Sequence, residues 1–138
     1  MTADSQLVVQ AALVAALKAF APLTALLSDG AGSVYDHVPE DAGFPFLSVG
    51  ESVARPFDDK SAGGMDQQVA IHSWSRQRGL KEVKTIMAAV VEALDRQELS
   101  LAGHSLIDIS FQFSDSLLDP DGLTRHGIQR FRVVTQAS

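Results

Sequence analysis

Cysteine is absent from this chain of 138 residues, and aromatic residues are few, with one tryptophan and one tyrosine. Without cysteine the protein can build neither a disulfide framework nor a thiolate metal site. Positive charge is also scarce, because 17 acidic residues outnumber 11 lysines and arginines and leave a net charge of −6. A chain with this balance is poorly suited to sequester nucleic acid, whose phosphates select basic surfaces.

Long hydrophobic runs are also missing. The apolar stretch at residues 7–21 is interrupted by Gln10 and Lys18, has no basic start and is short for a membrane span. We therefore expect neither export nor membrane insertion, and we interpret the stretch as a helix. Its many alanines predict close packing, either wholly within its own domain or partly against a neighbouring subunit.

The length and the ordinary hydrophobic fraction fit a single globular domain that covers residues 1–138. Hydrophobic periodicity predicts the order helix, strand, strand, helix, strand, strand, with a short extra strand near residues 34–36. We therefore predict an α+β fold, in which a roughly four-stranded, mainly antiparallel sheet carries two main helices on one face. The helices are predicted at residues 6–20 and 80–94, and the strands at residues 46–53, 67–75, 106–113 and 128–135.

The strand at residues 106–113 has the clearest alternation in the chain, which predicts one buried face and one face that is wet or shared. Arg130 and Arg132 of the last strand are expected on the polar face as well. The alternation places Ile107, Ile109, Phe111 and Phe113 on one side and Asp108, Ser110 and Gln112 on the other.

A long loop is predicted over residues 55–64, between the strands at residues 46–53 and 67–75. Proline, glycine and charged residues in one short segment are typical of an exposed, mobile connection. We treat it as a candidate docking loop, with the residues Arg55, Pro56, Phe57, Asp58, Asp59, Lys60, Gly63 and Gly64.

The joint between the strand at 67–75 and the following helix concentrates tryptophan and arginine, which are favoured in protein–protein contacts. Stacking on a nucleic-acid base is disfavoured by the net charge and by Glu82, which interrupts the basic residues. Simple packing of Trp74 over the joint stays open as an alternative. The candidate interface residues are Trp74, Arg76, Arg78, Lys81, Arg130 and Arg132.

Reactive chemistry is not indicated. The histidines do not fall at metal-ligand spacings, and the carboxylate pairs stand in turn sequences such as the one at residues 119–122. There is no nucleophile elbow, phosphate loop or dinucleotide fingerprint. We therefore predict no enzyme activity and no catalytic, cofactor-binding or metal-ligating residue. A small-molecule-binding or hydrolytic α+β domain that uses His72 or His126 stays open as an alternative of a different class.

Four segments in order resemble the tail terminator, or tail completion, proteins of long-tailed bacteriophages and gene transfer agents. The resemblance covers nearly the whole chain, and the ordered set is more specific than any one segment. The segments are YDHVPEDAGFPFLSVGE at 35–51, HSWSR at 72–76 with GLKEVKTI at 79–86, LAGHSL at 101–106, and DPDGLTRHG at 119–127 with RFR at 130–132.

The resemblance implies a structural subunit that forms a ring, expected to be a hexamer, at the head-proximal end of a tail tube. Such a ring ends tube polymerisation and presents a surface to the head-side connector. The implied partners are other copies of the chain, the tail tube protein and the connector, with DNA only passing through the lumen. The implied location is the tail of a virion or phage-like particle assembled in the host cytoplasm, without cofactor or membrane. A head–tail adaptor of the same particle is the nearest alternative.

Overall fold

The computed structural model describes residues 4–57 and 63–138, and it confirms the α+β class. Each predicted helix and strand is present, and the four main strands are longer than predicted. In chain order the elements are α1 (Gln6–Ala19), a short α2 (Ala21–Thr24), a 3-10 helix (Gly30–Ser33), β1 (Val34–Tyr35), β2 (Phe46–Phe57), β3 (Gly64–Ser75), α3 (Lys81–Leu94), β4 (His104–Leu118) and β5 (Arg125–Ala137).

The strands form one mixed sheet in the order β1-β2-β3-β5-β4. β2 and β3 are antiparallel neighbours, as are β4 and β5, which confirms the two expected strand pairs. β3 and β5 join the pairs at the centre of the sheet, also antiparallel. β1 adds a fifth strand, because Val34 and Tyr35 pair in parallel with Leu47 and Ser48.

The hydrophobic core lies between one face of the sheet and helices α1 and α3. In α1 the buried residues Val9, Leu13 and Leu17 recur every fourth position, so a single stripe faces the sheet. Truncating one such leucine to alanine in a packed core costs about 2–5 kcal/mol. The fully buried partners on the sheet are Leu47 on β2, Ile71 on β3, Phe131 and Val133 on β5, and Ile109 on β4.

Helix α1 is only half embedded. Its outer side leaves Leu7 79% exposed, and Ala11 and Ala15 are exposed as well. The alternative in which the helix sinks wholly into its own domain was therefore wrong. The exposed side of α1 also carries Gln6, Gln10 and Lys18, so it is a mixed surface with one large apolar residue, Leu7.

The predicted loop over residues 55–64 was wrong at both ends, because β2 extends to Phe57 and β3 begins at Gly64. Arg55, Pro56 and Phe57 belong to β2 and pair with Asp66, Met65 and Gly64 of β3. Within the described residues β1 pairs with β2 only at Leu47 and Ser48, so no strand pairs with the outer edge of β2 at Pro56. The N–H that proline lacks is therefore not needed for pairing on that edge.

Composition misled the prediction at the β3 end too. At Gly64 a Cβ atom would lie 2.8 Å from the carbonyl oxygen of Phe57, so glycine here serves strand pairing rather than a loop. The carbonyl of Gly63 accepts a hydrogen bond from the N–H of Ala137 at 2.7 Å. The candidate loop residues Asp58, Asp59 and Lys60 lie outside the described residues.

β4 departs from the strict alternation that its sequence shows. Register shifts lie between Leu106 and Asp108 and between Phe111 and Phe113. As a result Ile109 is buried, whereas Ile107 and Phe113 are 49% and 47% exposed. The prediction that one buried face carries all four apolar residues was therefore wrong for these two, because a β-bulge inserts one residue and reverses the facing of those that follow. Phe111 is 36% exposed as well, so Ile109 alone of the four is buried.

Candidate interaction surface

The open face is the side of the sheet opposite α1 and α3. Arg130 and Arg132 lie on it, because they alternate along β5 with the buried residues Gln129, Phe131 and Val133. Trp74 and His72 lie on it for the same reason on β3, where Ile71, Ser73 and Ser75 are buried. The structure thus confirms the predicted two-faced sheet on these central strands.

Trp74 is held in a row of aromatic rings at one end of the open face. Its direct cross-strand partners are Phe46 on β2 and His126 on β5. The indole stacks on His126 with a centroid distance of 3.8 Å, and it lies 6.1 Å from the ring of Phe46. Its Nε1 donates to Oγ of Ser48 at 3.3 Å. Trp74 is therefore half-buried and rigidly placed, with one part of its surface still accessible.

Arg76 extends this row beyond the end of β3. Its guanidinium lies 4.2 Å from the centroid of the Phe44 ring, a cation–π geometry. Its Nε donates to Oγ1 of Thr124, in the connection between β4 and β5. Tryptophan and arginine are thus brought together, as the sequence predicted, and both are anchored by contacts within the chain.

The other candidate interface residues are spread out. Arg78 and Lys81 are exposed, in the connection to α3 and at its first position. Arg132 pairs with Gln68, far along β3 from Trp74, and forms a bidentate ion pair with Asp66 at 2.8 to 3.2 Å. That hydrogen-bonded pair raises the pKa of Arg132. Of the six residues, Trp74 and Arg76 lie together at one edge of the open face, whereas Arg132 belongs to a separate ion pair, so the candidates do not form one continuous site.

The β4–β5 turn at residues 119–122 is confirmed by its hydrogen bonds. The N–H of Gly122 donates to the carbonyl of Asp119, and Gly122 has φ of 72°, which glycine adopts readily. The carboxylate of Asp121 accepts from both N–H groups of Leu123 and Thr124 and from the Thr124 hydroxyl. The two hydrogen bonds from Thr124 have the largest effect, and together with the bond from Leu123 they lower the pKa of Asp121 to about 2.

Sequence reasoning missed a row of titratable groups next to Trp74. His72 Nε2 lies 2.8 Å from Oε1 of Glu51, His72 Nδ1 lies 2.7 Å from Nε2 of His126, and His126 Nδ1 lies 3.8 Å from Oδ1 of Asp119. The four residues come from β2, β3, β5 and the β4–β5 turn. Their meeting depends on the register between β3 and β5, which local sequence does not reveal.

Two features of the described residues bear on other functions. They contain no group of three or more histidine, aspartate or glutamate side chains that could hold a metal ion. Among the same residues no helix is both long and apolar enough to cross a membrane.

Comparisons with known proteins agree over nearly the full length of the chain. The family model described as tail completion protein gp17 matches residues 11–136. The chain is 27% identical over 123 residues to the tail completion protein gp17 of Bacillus phage SPP1, covering 89% of this chain and 88% of that protein. It is also similar to a chain in the virion of a native gene transfer agent particle, with a TM-score of 0.89, 25% identity and coverage of 99% and 100%.

Proposed function

This chain belongs to the family of tail completion protein gp17, and from that membership we propose that it forms a ring at the head-proximal end of a tail tube. It is a structural component of a phage or gene-transfer-agent virion and not an enzyme. The family match over residues 11–136 is the observation that carries the proposal. The hydrolytic alternative has no comparable support.

In the proposed ring, expected to be a hexamer, each subunit meets its neighbours through two different surfaces. Head-to-tail contacts of this kind close into rings when the rotation between subunits permits it. The chain offers two unlike surfaces that suit such contacts. One is the Trp74–Arg76 edge of the open face, and the other is the exposed side of α1 around Leu7.

The proposed partners beyond the ring are the tail tube protein on one side and the head-side connector on the other. We propose that the ring stops tube polymerisation, and that the β2–β3 hairpin contributes to docking. Assembly takes place in the host cytoplasm, and residues 1–138 act as one domain. DNA passes through the lumen without specific binding, because a ring of subunits that each carry −6 repels phosphate. A ring structure whose lumen is dominated by lysine and arginine would contradict that last point.

Sedimentation velocity over a range of protein concentrations, combined with native mass spectrometry, tests ring formation. The proposal predicts a discrete closed species of about six subunits and ring-shaped particles in negative stain. A chain that stays monomeric at high concentration, both alone and with tail tube protein, would contradict it.

The adaptor alternative differs in where the particle fails when the protein is missing. Particles assembled without a tail terminator have overlong tails, because nothing stops tube growth. Particles without an adaptor have tails of normal length that carry no heads. Negative-stain images of particles from a deletion strain therefore separate the two functions.

A further inference from the structure

The row formed by Glu51, His72, His126 and Asp119 has a defined arrangement of protons. A carboxylate can only accept, so Nε2 of His72 donates to Glu51 at 2.8 Å. The hydrogen bond from His72 also lowers the pKa of Glu51, which keeps it charged. In neutral His72 the other nitrogen, Nδ1, is then an acceptor. The N–H that it accepts is Nε2 of His126, 2.7 Å away.

The far end of the row lacks a proton in this arrangement. Neutral His126 that carries its hydrogen on Nε2 has a bare Nδ1, and Nδ1 faces Oδ1 of Asp119 at 3.8 Å. This distance is beyond hydrogen-bond range and fits two groups that both lack a hydrogen between them. Two ring protons therefore satisfy two of the three contacts, and a third proton would complete the row.

We propose that these four side chains form a proton-operated latch, in which a proton added to Nδ1 of His126 draws Asp119 and the β4–β5 turn onto the open face. The added proton comes from solvent and converts the 3.8 Å separation into an N–H···O bond between opposite charges. A second added proton would place N–H against N–H between His72 and His126 and would separate the two rings.

The surroundings set the pH at which the latch closes. The side chains of His72 and His126 are only 14% and 13% exposed, whereas Glu51 and Asp119 are 60% and 28% exposed. Burial lowers the pKa of His126, and charge on His72 lowers it further, while Asp119 and Glu51 oppose both effects. Among the charged groups on the neighbouring strands, Arg130 of β5 lowers the pKa of Glu51. Asp115 of β4 is the cross-strand partner of Ile128. The latch is therefore open at neutral pH and closes in mildly acidic solution.

Closing the latch also changes the surface around Trp74. Since His126 and Trp74 stack at 3.8 Å, the added charge lies directly against the indole face, where a cation is attracted. The same proton thus acts on the turn at residues 119–122 and on the edge of the open face. This consequence does not depend on ring formation, because all four residues belong to one chain.

Histidine-selective ¹⁵N NMR of the full chain from pH 8 to pH 4.5 tests the latch. We expect His72 and His126 both to carry hydrogen on Nε2 at pH 8. On acidification Nδ1 of His126 should become protonated with a midpoint below that of free histidine in the same buffer. The backbone amides of Gly122 and Thr124 should shift with that same midpoint.

Two variants provide matched controls. His126→Gln keeps a donor toward His72 and has no group equivalent to Nδ1, so the turn amides should lose the transition. Asp119→Asn removes the acceptor charge that favours the protonated form, so it should lower the His126 midpoint further. Hydrogen on Nδ1 of His126 at pH 8, or turn amides that titrate unchanged in His126→Gln, would overturn the proposal. Sedimentation of the same samples reports separately on the ring.

Discussion

The indole of Trp74 and the imidazole of His126 lie face to face, with ring centroids 3.8 Å apart and planes within 8° of each other. The two residues are direct cross-strand partners in the β3–β5 pairing. Trp74, the candidate contact residue, is therefore held in place by His126, a residue that can titrate. Any change that shifts the β3–β5 register or the charge of His126 should reach the surface that we propose for assembly.

Trp74→Ala should weaken association of the subunits. The substitution removes the stack on His126 and the contact with Phe46, and for a half-buried aromatic we expect a loss of about 2–3 kcal/mol in folding stability. Circular dichroism at several temperatures measures folding, and sedimentation velocity measures association. Trp74→Phe is the matched control, because it keeps an aromatic ring in the stack while it loses the Nε1 donor and part of the indole surface. Unchanged folding together with unchanged association in Trp74→Ala would defeat the prediction.

Folding stability should fall as the pH drops below about 6.5. Because burial first, and then the charge of His72, depress the pKa of His126 below its usual 6.5, the unfolded chain binds more protons than the folded one in this range. The stabilising contribution is therefore fully present above pH 6.5 and is lost on acidification. Urea unfolding at a series of pH values measures the free energy of unfolding. The slope of this free energy against pH, between pH 6.5 and pH 5, should flatten in His126→Gln. An equal slope in both proteins would contradict the assignment.

Asp121→Asn should destabilise the β4–β5 hairpin more than it affects contacts between subunits. The carboxylate accepts three hydrogen bonds, and its pKa of about 2 lies below the usual 3.8, so its contribution is present above pH 3.8 and fades toward pH 2. The stability difference from the unmodified protein should therefore narrow over that interval. Hydrogen exchange at Leu123 and Thr124 reports on the hairpin directly. A difference that is independent of pH would point to another cause.

Gly50→Ala should disturb the histidine row from its β2 side. A Cβ atom at this position would lie 2.6 Å from Cδ2 and Nε2 of His72. The imidazole has little room to move away, because it lies 4.9 Å from the ring of His126. We expect a loss of about 1–3 kcal/mol in stability and loss of the hydrogen bond to Glu51. Thermal unfolding and the ¹⁵N shift of His72 Nε2 check the two effects, and an unchanged shift would show that the ring is not displaced.

Local periodicity was enough to predict the helices and the two strand pairs. The stripe that contains Val9, Leu13 and Leu17 and the buried face of β3 each follow from spacing along a single element. A chain with two helices and two pairs of strands has few arrangements that bury those apolar stripes, so the α+β class follows as well. The turn at residues 119–122 was similarly local, since its proline, aspartates and glycine set the backbone themselves.

Features that depend on pairing between distant parts of the chain could not be predicted from the sequence. The bulges in β4 move Ile107 and Phe113 out of the core, and nothing in the alternating sequence marks where an extra residue is accommodated. Pro56 and Gly64 read as a loop because their roles at a strand edge and at a close approach depend on their neighbours. The meeting of His72 with His126, 54 positions apart in sequence, needs the β3–β5 register.

A reconstruction of the native particle, with this chain located in the density, tests the central claim most directly. We predict a closed ring of copies between the last layer of the tail tube and the head-side connector, with the edge around Trp74 covered by a neighbouring protein. The chain found at the distal tip, distributed along the tube, or present as a single copy would contradict the account.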